Sequence, residues 1–236
     1  MKVLKTNEVK NATISALTPN PNFPASNLSH VFAKLKYKGE GYSDTITVMF
    51  PDNVKASGFF YTFSNASSIT VRLYSNASDL LDTVTVDCTY QSGAEYFDEY
   101  DNVRWIEIDV ASPVAEDVYL GGIAFGEVID FPLPLISFGK SLKDNSSKTE
   151  SSDGQTSYHY IKPLLSYVLP FSHVVREEYH ELVEFFEEVG GGHIWVDITE
   201  EDHSVYQPLY CTSSLIEFSG REEYYITFKI TLMEAR

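Results

Sequence analysis

Three groups of residues in this chain have the types that chemistry requires. His193 and His203 stand near Asp197, Glu200, Glu201 and Asp202, and imidazole with carboxylate is a competent donor set for a divalent ion or for acid–base work. Glu177, Glu178, Glu181, Glu184, Glu187 and Glu188 concentrate carboxylates in one short segment, an arrangement that could bind cations or pair an acid with a base. Glu95-Tyr-Phe-Asp-Glu-Tyr-Asp101 mixes acids with aromatic rings. Loops that bind Ca²⁺ or sugar have this composition, and the sugar-facing set would be Glu95, Tyr96, Phe97, Asp98 and Tyr100.

Each group also has an ordinary structural explanation, which for Glu95–Asp101 is an acidic loop of a sandwich. Glu200-Glu-Asp-His203 reads as a polar turn after a strand that His193 opens, and the spacing matches no recognised ligand pattern. The six glutamates fall opposite an apolar stripe, where a helix meets water. Gly190-Gly-Gly192 follows a helical pattern rather than preceding one, so it cannot present helix N-terminal amides to a phosphate. No Gly-x-Ser-x-Gly, His-Glu-x-x-His or glycine-rich nucleotide loop occurs. The expectation is a protein with no catalytic residue, no metal and no cofactor, and hence not an enzyme.

The elements that must position these residues are mostly strands. Thr45–Phe50, Gly58–Phe63, Ser68–Tyr74, Leu81–Tyr90, Arg104–Val110 and Asp117–Phe125 have strand character, with turns at Pro51-Asp-Asn, Ser64-Asn-Ala-Ser and Ser75-Asn-Ala-Ser-Asp. Arg104-Trp-Ile-Glu-Ile-Asp-Val110 alternates strictly, which puts Trp105, Glu107 and Asp109 on one face and Ile106, Ile108 and Val110 on the other. Repeated antiparallel turns predict a β-sandwich or jelly roll over residues 1–130. Asp130-Phe-Pro-Leu-Pro134 marks the boundary, because prolines cannot donate to a ladder. Beyond it, residues 131–236 predict an α+β domain. Its one helix, His173–Val189, carries the stripe Val175, Tyr179, Leu182, Val183 and Phe186, with Ser172 as cap and Gly190 as stop. Strands follow at His193–Ile198, Val205–Cys211, Ser214–Phe218 and Tyr224–Leu232.

Charge narrows the partners. Thirty-four acidic residues against 17 basic ones leave a net charge of −17, which opposes binding to nucleic acid through charge and to anionic membranes. No apolar run approaches membrane-spanning length, so no membrane insertion is expected. Cys88 and Cys211 are the two cysteines, too few for a disulfide framework. The opening residues interrupt their apolar positions with charges, which predicts no export signal.

Pro24-Ala-Ser-Asn-Leu28, the strand series after it and Val118-Tyr-Leu-Gly-Gly-Ile-Ala-Phe-Gly-Glu127 resemble the discoidin-like, galactose-binding-like β-sandwich found in tail proteins of bacteriophages. The remainder is similar to the C-terminal part of the same proteins, in Ser152-Asp-Gly-Gln155, Phe185-Phe186, the glycine-rich turn, the Trp-containing strand and Leu232-Met-Glu-Ala235. The resemblance implies a mainly β virion structural protein of the tail tip or baseplate, of distal-tail or minor-tail type. Its second domain would be tail-tube-like with one flanking helix, and would form a homo-oligomeric ring, trimer or hexamer, around the tail axis with other tail proteins. The protein would be made in the host cytoplasm. It also gives a role to the polar stretch Asp144–Ser157, as an assembly loop using Asp144, Asn145, Lys148, Glu150, Asp153, Gly154 and Gln155. The alternative reading is a carbohydrate-binding module that recognises host-surface glycans through the N-terminal sandwich.

Overall fold

The computed structural model describes residues 1–30, 35–113, 116–132, 134, 139–143, 147–150, 156–159, 164–189, 193–198, 209–221 and 224–234. In chain order the strands begin with β1 (Lys2–Leu4), β2 (Thr13–Ala16), β3 (Tyr37–Lys38), β4 (Ser43–Thr62), β5 (Ser68–Ser75) and β6 (Leu80–Val86). They continue with β7 (Gly93–Ala111), β8 (Tyr119–Leu120), β9 (Gly122–Gly126), β10 (Val128–Asp130), β11 (Gly139–Lys143), β12 (Ser147–Glu150), β13 (Thr156–His159) and β14 (Leu164–Val175). Helix α1 (Arg176–Val189) precedes β15 (His193–Asp197), β16 (Leu209–Arg221) and β17 (Tyr225–Glu234). Two compact units emerge: Met1–Phe131 with Trp195–Tyr210, and Pro132–Ile194 with Cys211–Ala235. The break at Phe131 falls beside the prolines. The return of Trp195–Tyr210 to the first unit has no signal in local sequence.

Two long antiparallel strands organise the first unit. The predicted turn at Pro51-Asp-Asn does not form. β4 runs through it, and the ladder with β7 jumps register between Met49 and Val54 and again on either side of Ala56. A bulged segment of this kind tolerates a proline, because no ladder donor is required of it; the Pro51 carbonyl accepts from Arg104 instead. Before the irregularity β4 pairs with β2 and β7, and after it with β9 and the first part of β7. The sheet order is β2-β4-β7-β5-β6. Inward residues from both stretches, such as Ile46, Val48, Ile106 and Ile108 with Phe59, Tyr61, Ile123 and Phe125, share one apolar core. The arrangement is sandwich-like and mainly β.

The later stretch of β4 is buried on both faces. Phe60, Ala94 and Ala124 point away from that core and meet Leu4 and Trp195 in a second cluster. Leu4 comes from β1, which is held between β10 (Val3↔Ile129) and β15 (Val3↔Val196). The Met1 ammonium donates to the Phe131 carbonyl at 2.9 Å, closing this ladder. Gly93 is required where β7 begins, since a Cβ there would meet the Tyr61 ring at 2.6 Å.

The second unit has β17 between β14 and β16, all antiparallel, with β11 beyond β14. Helix α1 packs on β14 and β17. Leu182, Phe185 and Phe186 are buried and the six glutamates are exposed. Tyr179 meets the Phe228 ring edge to face at 5.0 Å. The helix starts three residues later than the sequence suggests. Val174 and Val175 still pair with Ile226 and Tyr225, so β14 continues through the proposed cap. Ser172 bonds to the neighbouring His173 ring rather than capping, and Val175 is 41% exposed at the strand end. Gly190 lies outside the described residues.

Candidate functional site

The outer face of the first unit's sheet carries three rows of side chains fixed by register. The first row is Thr45, Asp109, Thr70 and Thr85; the second is Thr47, Glu107, Arg72 and Thr83; the third is Met49, Trp105, Tyr74 and Leu80. Alternation puts all of them opposite the buried Ile46, Val48, Ile106, Ile108, Ile69 and Val71. The first row ends in an open groove of about 430 Å³ whose hydroxyls come from Thr18, Ser43, Thr45, Ser68 and Thr70. Leu17, 76% exposed, is part of the lining, as are the carboxylates of Asp44 and Asp109.

Asp44 holds this groove together from beneath. It is 8% exposed and accepts from the Tyr37 hydroxyl, from the Thr18 backbone N–H at 3.2 Å and from the Thr45 backbone N–H at 2.7 Å. A buried carboxylate must be compensated in this way, and the compensation ties the segment bearing Leu17 and Thr18 to β4. Burial, then the hydrogen bond to Asp44, pushes the Tyr37 phenol well above its ordinary value.

Arg72 orders the middle row. Its Nη1 meets Asp109 Oδ2 at 2.5 Å, and its Nε and Nη2 donate to Glu107 Oε2 at 3.2 and 3.1 Å. The Tyr74 hydroxyl donates to the same Glu107 oxygen at 3.2 Å, and the Thr45 hydroxyl donates to Asp109 Oδ1 at 2.7 Å. Asp109's hydrogen bond, against partial burial and with Glu107 adding to it, holds the guanidinium above its usual value. Partial burial works against ionisation of Asp109, yet the bonds from Arg72 and Thr45 outweigh it and hold the carboxyl below its usual range. One guanidinium thus faces two carboxylates.

The residues expected to form a sugar-facing loop are elsewhere. Glu95, Tyr96, Phe97, Asp98 and Tyr100 lie within β7, not in a loop, and the rings turn onto protein. Phe97 stacks on Phe125 at 5.8 Å and stands beside Tyr100. Tyr96 meets Phe60 edge to face at 5.9 Å, donates to Asp197 at 2.7 Å and has Lys2 Nζ 4.6 Å over its ring. The rings do not stand free as a platform, because Phe97 stacks on Phe125 and Tyr96 is held between Phe60, Asp197 and Lys2. Asp98 alone of the five is exposed.

Of the proposed metal or acid–base group, His193 is exposed at the start of β15 while Asp197 is fully buried at its end. Glu200, Glu201, Asp202 and His203 lie outside the described residues. Among the described residues no three His, Cys, Asp or Glu side chains come together as a metal would need.

Of the assembly stretch, Asp144, Asn145, Asp153, Gly154 and Gln155 lie outside the described residues, while Lys148 and Glu150 belong to β12. The stretch is not all loop. Beyond the β11–β14 ladder, which ends at Lys143↔Leu164, β12 pairs with β13 from Ser147↔His159 to Glu150↔Thr156. Strand pairing was missed here because the segment has no apolar alternation to announce it.

A scan against protein-family models finds no match, and a search of curated proteins finds none. Solved structures similar to the chain include carbohydrate-binding modules. A chitosan-binding module from the chitosanase/glucanase of Paenibacillus sp. IK-5 is 14% identical, with 52% of this chain and 99% of that one covered and a TM-score of 0.45. A fucose-binding module of Streptococcus pneumoniae is 13% identical over 51% and 94%, at 0.45. A module from Clostridium perfringens, solved with GalNAc-β-1,3-galactose, is 9% identical over 52% and 100%, at 0.45. The resemblance to phage tail proteins receives no support from these comparisons.

Proposed function

We propose that the first unit is a carbohydrate-binding module and that its site is the groove at Thr45, Thr70 and Asp109. The observation that carries this reading is the groove's lining: five hydroxyls and the carboxylates of Asp44 and Asp109 around about 430 Å³, open to solvent. That volume lies within the range of small-ligand sites. Hydroxyls that both donate and accept suit a ligand that is itself polyhydroxylated.

The test is retention on a panel of immobilised glycans by the intact chain and by Thr70→Phe, which fills the groove from an outward position. Wild type is retained and the variant is not, at equal melting temperature. Equal retention would move the site off this face.

A second reading rests on a separate observation, the β12–β13 ladder, which forms a two-stranded sheet of its own between β11 and β14 in the chain. A paired arm of this kind suits contact with a second copy of the chain, by strand or side-chain pairing, as a structural subunit of a tail tip or baseplate would need. The two readings are compatible, because they use different units.

A further inference from the structure

The outer face of β7 continues beyond the groove without interruption. Asp109, Glu107 and Trp105 point the same way, flanked in register by Thr70, Arg72 and Tyr74 of β5. Asp109 and Trp105 are four residues apart on the strand, about 13 Å at the usual rise. The two ends differ in chemistry. One offers hydroxyls and a carboxylate; the other is a ridge of Trp105, Tyr74 and Met49, the last 51% exposed. Between them one guanidinium faces two carboxylates, so this stretch carries excess negative charge on a chain whose net charge is already −17.

Building on the carbohydrate-binding reading above, we propose that the ligand is a linear amino-sugar chain bearing ammonium groups, laid along β7 from the groove to the Trp105–Met49 ridge. Hydroxyls of one residue pair with Thr70 and the groove. The apolar face of another rests on the ridge, as amphipathic rings do on aromatic side chains. Ammonium groups between them are drawn to Glu107 and Asp109; Arg72 and Tyr74 meet Glu107 on a single oxygen, Oε2, and an ionised carboxylate has capacity for more donors than it receives here. A neutral chain gains nothing from the charge imbalance, and an anionic one is repelled by it.

Calorimetric titration of the intact chain with glucosamine, with a β-1,4-linked glucosamine hexamer and with the N-acetylated hexamer tests this. The charged hexamer binds roughly tenfold or more tighter than the single sugar, the scale of one added aromatic contact. Its affinity falls as salt rises, as exposed charge pairs require, and the N-acetylated hexamer binds more weakly. Met49→Lys, at an exposed position, weakens the charged hexamer with no change in melting temperature. Equal affinity for single sugar and hexamer, equal or tighter binding of the N-acetylated hexamer, or an unaffected Met49→Lys overturns the inference. If a neutral saccharide binds and Thr70→Phe blocks it, the carbohydrate-binding reading stands while this inference falls. If no saccharide binds at all, that reading falls as well.

Discussion

The rings of Tyr74 and Trp105 lie 3.8 Å apart between centroids and 5° from parallel, on adjacent strands and in direct register. Cross-strand aromatic pairs are a unit of sheet stability. A double-mutant cycle with Tyr74→Ala and Trp105→Ala should give a coupling of about 0.5–1.5 kcal/mol by chemical denaturation. Additive single effects would show that the two rings act separately.

The carboxylates give the fold an acid dependence of definite sign. Burial opposes ionisation of Glu127 as it does of Asp109, but hydrogen bonds from Lys55 and Lys5 outweigh it, so both carboxyls titrate below their ordinary range. A group depressed in the folded state stabilises above its unfolded value, about 3.9 for Asp and 4.3 for Glu, and loses that contribution as pH falls through the folded value. Wild type should therefore lose melting temperature on acidification below about pH 4. The Asp109→Asn, Glu127→Gln double variant should show a shallower decline. Parallel curves would assign the acid sensitivity to other groups.

The strict alternation of Arg104–Val110 made the outer face of β7 legible: Trp105, Glu107 and Asp109 are together and Ile106, Ile108 and Val110 are buried, as the pattern requires. What stands beside them was not legible. That Arg72 reaches Glu107 and Asp109, or that Tyr74 covers Trp105, depends on register between strands about 35 residues apart, which no local pattern encodes. The groove was missed for the same reason, since its hydroxyls come from β4, β5 and the segment after β2. The Glu95–Tyr100 stretch misled because acids among aromatics resemble a loop in composition, while two-sided burial of the neighbouring β4 turns those rings inward.

Helix α1 offers a sharper test of the second unit. Phe186 is 5% exposed and Leu182 fully buried, while the six glutamates of the helix are exposed. Phe186→Ala should cost about 3–5 kcal/mol, the range for truncating a large buried ring. Glu184→Ala, one of the exposed six, should stay within about 0.5 kcal/mol. Comparable losses from both variants in urea denaturation would show that the stripe is not core.

The arm formed by β12 and β13 separates assembly from folding. Its strands pair with each other, while β11 and β14 close their own ladder at Lys143↔Leu164. Replacing residues 144–163 with Asn-Gly should join those two strands through a two-residue turn whose twist suits an antiparallel pair. Circular dichroism and the urea midpoint of the shortened chain should then match wild type, because β14, β16, β17 and α1 keep their partners. If the arm contacts a second copy of the chain, wild type should show a mass by sedimentation several times that of the single chain and the shortened protein should not. Glycan retention should be the same in both, since the groove lies in the first unit. An unchanged mass on shortening would exclude the arm from assembly, and loss of glycan retention would show that the two units do not act independently.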